Sequence, residues 1–159
     1  MRQTSVLAPV PGRAVLLEDV PDPVFSAGMV GYGAAIDPPR GVIDAVAPVS
    51  GKLLKLMPHA YIVMTPDNVG VLVHLGLDTV ALNGEGFTAH VSQGDDVTAG
   101  QIVISYDVLS VESNGLNPIV PVVVMDERVP ENVTLSDVVT LGADIDSGAR
   151  LFTANQSSR

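Results

Sequence analysis

Two histidines carry the chemistry this chain can do. His74 sits inside the apolar run Val71-Leu-Val-His-Leu-Gly-Leu-Asp-Thr-Val80, and His59, in Met57-Pro-His-Ala-Tyr, lies fifteen residues upstream. An imidazole with an ordinary pKa of ~6.5 is mostly neutral at pH 7, so one ring nitrogen offers a lone pair while the other carries the proton. Such a ring can act as a nucleophile, a base or a metal ligand. A lone histidine in an apolar strand is more often a satisfied core residue than any of these, so a second one beside it matters. Antiparallel neighbours lie roughly 4.7–5.5 Å apart, so two strands joined by a turn of this length can bring both imidazoles into one site. A third histidine, His90 in Phe87-Thr-Ala-His-Val, has no such setting and reads as a surface residue.

The elements that must position this pair are strands. Fifteen glycines and twelve prolines break the chain into short apolar segments rich in valine. Those at 13–17, 41–47, 52–56, 60–65, 70–75, 87–91, 101–106, 119–125 and 151–153 alternate or run apolar as strands do. Only 107–114 carries a helical period, worth one or two turns. The expectation is an all-β antiparallel sandwich or barrel in one domain, residues 1–159, with its core at about 5–154.

Two internal echoes sharpen it. Ala8-Pro-Val-Pro-Gly12 recurs as Ala47-Pro-Val-Ser-Gly51, and Gly94-Asp-Asp-Val-Thr-Ala-Gly100 recurs as Gly142-Ala-Asp-Ile-Asp-Ser-Gly148. Glycines at both ends supply turns with positive φ, and the Val or Ile between them can point inward, so the second pair reads as repeated hairpins.

Composition excludes several classes. There is no cysteine, hence no disulfide framework, zinc ribbon or thiol nucleophile. Eight basic against eighteen acidic side chains give a formal charge of −10, which repels phosphate backbones and anionic membranes and favours a partner with a basic face. Nucleic acid is therefore not expected as a partner, and membrane insertion is not expected because no apolar run approaches the ~20 residues a bilayer crossing needs. The opening residues lack the apolar core of a signal peptide, and a cytoplasmic location is expected.

The motifs resemble, in order and over Ser5 to Ala154, the glucose-family IIA component of the bacterial phosphoenolpyruvate-dependent sugar phosphotransferase system. The stretch 71–80 carries the resemblance, followed by Leu82-Asn-Gly-Glu-Gly-Phe87 and Gln93-Gly-Asp-Asp-Val-Thr-Ala-Gly100. Glu18-Asp-Val-Pro-Asp-Pro-Val-Phe25, Met29-Val-Gly-Tyr-Gly33, Ala47-Pro-Val-Ser-Gly51 and Pro121-Val-Val-Val-Met-Asp126 support it. What the resemblance implies is a hybrid-motif β fold acting as a phosphocarrier. His74 would take a phosphoryl group from the phosphohistidine of HPr and pass it to a cysteine of a IIB domain during sugar uptake. His59 would stabilise the group in transit. A carbonyl near Gly76 would fix the His74 tautomer, backbone amides at 76–78 would face the phosphoryl oxygens, and Asp78 would face outward. The partner-docking ring would comprise Val24, Phe25, Met29, Val30 and Val80, with Asp22 and Asp78 at its rim. No cofactor is implied, and the two histidines would bind zinc only adventitiously.

Departures from the family pattern are visible. Many members place a threonine two residues before the first histidine; here Met57 stands there and Pro58 follows, so what orients the His59 ring is left open, a backbone carbonyl being one substitute for the hydroxyl. The loop Asp37-Pro-Pro-Arg-Gly-Val-Ile-Asp44 looks longer than usual, and no amphipathic leader precedes the first strand. The stretch Val129–Ala154 resembles the closing strands of IIA domains in fused permeases. Three rival readings stand beside the resemblance. A lysostaphin-type zinc peptidase would need a His-x-His pair, but Leu75 and Gly76 follow His74. A biotin- or lipoate-type carrier would need a hairpin-tip lysine, whereas Lys52 and Lys55 share one strand. A regulatory binding protein is compatible with the phosphocarrier, its targets unidentified.

Overall fold

The computed structural model describes residues 2–156. The chain runs β1 (Arg2–Leu7), β2 (Gly12–Leu16), α1 (Pro23–Ser26), β3 (Gly31–Asp37), β4 (Val42–Val46), β5 (Gly51–Met57), β6 (Ala60–Met64) and β7 (Gly70–His74). It continues through β8 (Phe87–Ala89), β9 (Asp96–Val97), β10 (Ile102–Asp107), α2 (Val108–Ser113), β11 (Val120–Met125), β12 (Val133–Leu135), α3 (Asp137–Thr140), β13 (Asp144–Ile145) and β14 (Arg150–Gln156). Every strand pairing is antiparallel. An eight-stranded sheet in the order β13-β2-β3-β11-β7-β6-β5-β9 is joined by two three-stranded sheets, β1-β14-β12 and β4-β10-β8. The all-β antiparallel expectation holds, and the one expected helical segment is α2.

Three strands outside the glycine-bounded echoes escape the sequence pattern: β1, β3 and the short β12. β1 is polar and pairs with β14, register Thr4 to Ala154. β3 is built of glycine and alanine, residues of low strand propensity. Its composition answers to its neighbour: a Cβ on Gly31 would stand 1.8 Å from the Val124 carbonyl oxygen, and one on Gly33 2.0 Å from that of Val122. Side-chain-free residues are what let β3 lie against β11.

The echoes are structural counterparts. Leu7 N donates to Pro48 O and Val46 N to Pro9 O, both at 2.9 Å, so the two Ala-Pro-Val segments bond reciprocally. Gly100 N donates to Ala47 O and Gly148 N to Ala8 O, again both at 2.9 Å. The glycines adopt positive φ and Val97 and Ile145 are buried, as expected. Neither copy folds back on itself, however: Val97 pairs with Gly51 in β5 and Ile145 with Gly12 in β2. Each echo of one kind is completed by an echo of the other.

The main core gathers Leu53, Tyr61, Val63, Val71, Val73, Leu75, Ile104, Tyr106 and Phe152 between the sheets. A second, smaller cluster covers the outer face of β7 with Leu17, Val20, Phe25, Ala60, Leu72, Leu77, Ile119 and Val123. That cluster is the floor on which the histidines stand.

Candidate functional site

Strand β7 ends at His74, and its ladder partner on β6 is Ala60. His59 precedes that pair, in the turn between β5 and β6, and its carbonyl accepts from Leu75 N at 2.7 Å. Leaving the ladder frees His59 from the strict alternation of strand faces, so its ring reaches the His74 ring. The centroids lie 5.2 Å apart with the planes at 70°, an edge contact. Phe25 makes a second edge contact, 5.4 Å and 60°. It is delivered by α1, which Pro23 starts and Asp22 caps by accepting from Val24 N at 2.9 Å.

Beyond His74 the chain turns at Gly76, whose φ is +86°. A Cβ there would meet the Thr79 methyl at 2.6 Å and the Asn117 carbonyl oxygen at 3.3 Å. The turn directs the Gly76 carbonyl back to His74 Nδ1, 2.5 Å away. A carbonyl only accepts, so Nδ1 carries the ring proton and Nε2 keeps its lone pair. Nε2 has no hydrogen-bond partner among the described residues.

Electrostatics favour the neutral ring. Burial lowers the His74 pKa, opposed by its bond to Gly76 and by the carboxylates of Asp22 and Asp78. Burial lowers that of His59 as well, and His74 adds to the effect as a like charge. Both imidazoles are thus uncharged at neutral pH, each with one ring N–H.

The other expected site residues fall around this pair. Asp78 is exposed, with φ +59°, facing outward as expected. Val24, Met29 and Val80 are 44%, 61% and 64% exposed, and Val30 is half-buried against the second cluster. Phe25 differs from its expected place in a docking ring: at 6% exposure it packs in the second core and supports His74 edge-on. The structure also answers how His59 is held, which the sequence left open. No carbonyl bonds its ring among the described residues; the Pro58 turn and the edge contact with His74 orient it. Of the three amides expected to face a ligand, that of Leu77 already donates to Asn117 O at 2.8 Å, leaving those of Gly76 and Asp78. Asn117 gave no signal in the sequence, because its contribution is a backbone carbonyl. His90 is exposed and hydrogen-bonds Ser105 Oγ at 2.6 Å, apart from this site.

The histidines do not line the cleft of about 500 Å³ formed by Arg13, Asp19, Asp37, Arg40 and Asn117. Arg40 of the long 37–44 loop closes one side of that cleft through ion pairs to Asp37 and Glu112, each 2.8 Å. Among the described residues no three His, Cys, Asp or Glu side chains are grouped to hold a metal ion. No described helix is long and apolar enough to cross a membrane.

Comparison with known proteins gives the chain relatives in sequence and in fold. The PTS glucose-specific EIIA component of Oceanobacillus iheyensis is 39% identical over 142 residues, 86% of this chain and 85% of that one. That of Halalkalibacterium halodurans is 44% identical over 121 residues, covering 75% and 69%. The solved structure of glucose permease IIA from Mycoplasma capricolum superposes with a TM-score of 0.84 at 32% identity over 96% of both chains. The family model for EIIA 1 of the phosphoenolpyruvate-dependent sugar phosphotransferase system matches residues 4–129, and to that family the chain belongs.

Proposed function

We propose that this chain is a cytoplasmic phosphocarrier that receives a phosphoryl group on His74 Nε2 from phospho-HPr and delivers it to a cysteine of a IIB domain. The observation that carries the reading is the bond from His74 Nδ1 to the Gly76 carbonyl, which leaves Nε2 as the free nucleophile beside a second imidazole. In the first transfer the Nε2 lone pair forms a new N–P bond as the donor's N–P bond breaks, and the departing imidazole keeps that electron pair. His74 retains its Nδ1 proton throughout. In the second transfer a thiolate attacks phosphorus and the bonding pair returns to Nε2. The chain's lack of cysteine fits an acceptor on another polypeptide segment.

Transfer of this kind asks a protein mainly for position and charge stabilisation. His59 is placed to donate to a phosphoryl oxygen, and the amides of Gly76 and Asp78 add donors that need no side-chain ordering. Val24, Met29 and Val80, with Val30 beside them, give a partner a dry surface at the open site. Asp22 and Asp78 give that surface acidic edges for a cationic face.

The test follows phosphoryl flow from phosphoenolpyruvate through enzyme I and HPr by intact mass. Wild type should gain one acid-labile phosphoryl group, His74→Gln none, and His59→Gln should charge but fail to pass the group on. Wild type remaining unmodified by a donor that charges another IIA protein would end this reading.

A further inference from the structure

The His74 tautomer depends on one peptide unit, and that unit is gripped at both ends. The Gly76 carbonyl and the Leu77 N–H belong to the same rigid plane. Its carbonyl takes the Nδ1 proton, and its N–H donates to the Asn117 carbonyl at 2.8 Å. Whatever fixes Asn117 therefore fixes the angle at which the carbonyl meets His74.

Two buried hydroxyls surround this plane. Tyr106, fully buried, donates to the Pro118 carbonyl at 2.9 Å and stacks on Phe87 at 5.4 Å, so it pins the backbone immediately after Asn117. Burial raises its pKa, which keeps the phenol a neutral donor at all working pH values. Thr79, 1% exposed, donates to the Leu75 carbonyl at 2.8 Å and closes the turn on the other side. Its methyl and the Tyr106 hydroxyl fill the space a Gly76 Cβ would occupy, at 2.6 and 3.2 Å.

We propose that Tyr106 and Thr79 are positioning residues for His74: their hydroxyls hold the Gly76–Leu77 peptide so that the ring proton stays on Nδ1 and Nε2 stays a nucleophile. Neither touches the phosphoryl group. The effect on transfer rests on the phosphocarrier reading, whereas the effect on the tautomer does not. An imidazole ring takes whichever tautomer its hydrogen bonds impose, so loosening the carbonyl lets the proton move to Nε2 and blocks attack. Polarisation runs the same way, since an N–H that donates to Asn117 makes its own carbonyl a better acceptor for Nδ1–H.

The experiment compares wild type with Tyr106→Phe, Thr79→Val and Thr79→Ser. The His74 ring nitrogens are read by ¹⁵N NMR, phosphoryl uptake from HPr by rapid-quench mass measurement, and folding by the amide spectrum. Wild type should show a single tautomer protonated on Nδ1. Tyr106→Phe and Thr79→Val should stay folded yet populate both tautomers, with uptake slowed about ten-fold in kcat and KM for HPr unchanged. Thr79→Ser should behave as wild type; a serine variant resembling Thr79→Val overturns the part assigned to that hydroxyl. Folded variants whose His74 remains wholly Nδ1-protonated overturn the proposal. If Thr79→Val does not fold, Tyr106→Phe, which keeps the ring and its stack, decides alone. If no form takes a phosphoryl group, the phosphocarrier reading fails while the ring spectra still decide the tautomer.

Discussion

Replacing Gly76 by alanine is the smallest change that should disable the site without touching a histidine. The residue adopts φ +86°, where a side chain clashes with its own backbone at a cost of roughly 1–2 kcal/mol. The new methyl would also stand 2.6 Å from the Thr79 methyl in a fully packed surround, and overpacking of this kind costs roughly 1–3 kcal/mol. Together the loss is about 2–5 kcal/mol, and in a chain of this size each kcal/mol lowers Tm by about 2–4 °C. Relief comes most cheaply by rotating the 76–77 peptide, which withdraws the carbonyl from Nδ1. Gly76→Ala should therefore melt roughly 4–20 °C below wild type while remaining folded at 25 °C, and it should accept phosphoryl groups at least ten-fold more slowly. The assay pairs a calorimetric melt with intact-mass kinetics at a temperature where the variant is fully folded. An alanine variant with wild-type Tm and wild-type transfer would refute both the strain argument and the role given to the carbonyl.

Three further expectations follow from the same geometry. Val80→Glu should slow transfer from HPr because docking would bury an unpaired carboxylate in a dry apolar contact, yet shift stability by no more than about 0.5 kcal/mol because the side chain is 64% exposed; unchanged kinetics would remove Val80 from the interface. Both histidines are held below their ordinary pKa, so phosphoryl acceptance should be flat above about pH 6.5 and fall only at lower pH, as protonation removes the Nε2 lone pair. Stability should move in the same direction. Below about pH 6.5 the unfolded chain binds protons at these rings that the folded chain refuses, so stability drops as pH falls and levels off beneath the lowered folded values. In His74→Gln the stability change across this window should shrink; a slope of the opposite sign would contradict the burial argument.

How much of this was legible beforehand depended on whether a residue acts through its type or through its backbone. His59 and His74 announced themselves by chemistry and spacing, and strands such as β6, β7 and β11 by their valine-rich runs. Strand β3 did not, because it is selected for the absence of side chains against the Val122 and Val124 carbonyls, which looks like loop composition. Phe25 entered the docking ring only through the resemblance and is buried at 6% exposure, since nothing in a four-residue helix tells which face meets the core. The Leu77–Asn117 bond was invisible for a stronger reason: it joins two main-chain groups far apart in sequence, and no side-chain code specifies it. The resemblance supplied the carbonyl anchor at His74, but not the ring contact that replaces a hydrogen bond at His59.

The reciprocal echoes also set the order in which the molecule can be finished. The Gly51 copy is completed by Val97 from the middle of the chain, whereas the Gly12 copy waits for Ile145 near its far end. Closing that second bridge joins opposite extremities of the polypeptide, the kind of non-local pairing that places β proteins among the slower folders, in milliseconds to seconds. During synthesis, β1 and β2 would emerge first and stay without their closing partners until β13 and β14 arrive. The segment 130–156, which lies beyond the matched family region, is then a latch. A polypeptide trimmed to the family signature would keep both histidines and lose its closure, presenting the open edges of β1 and β2 to other chains.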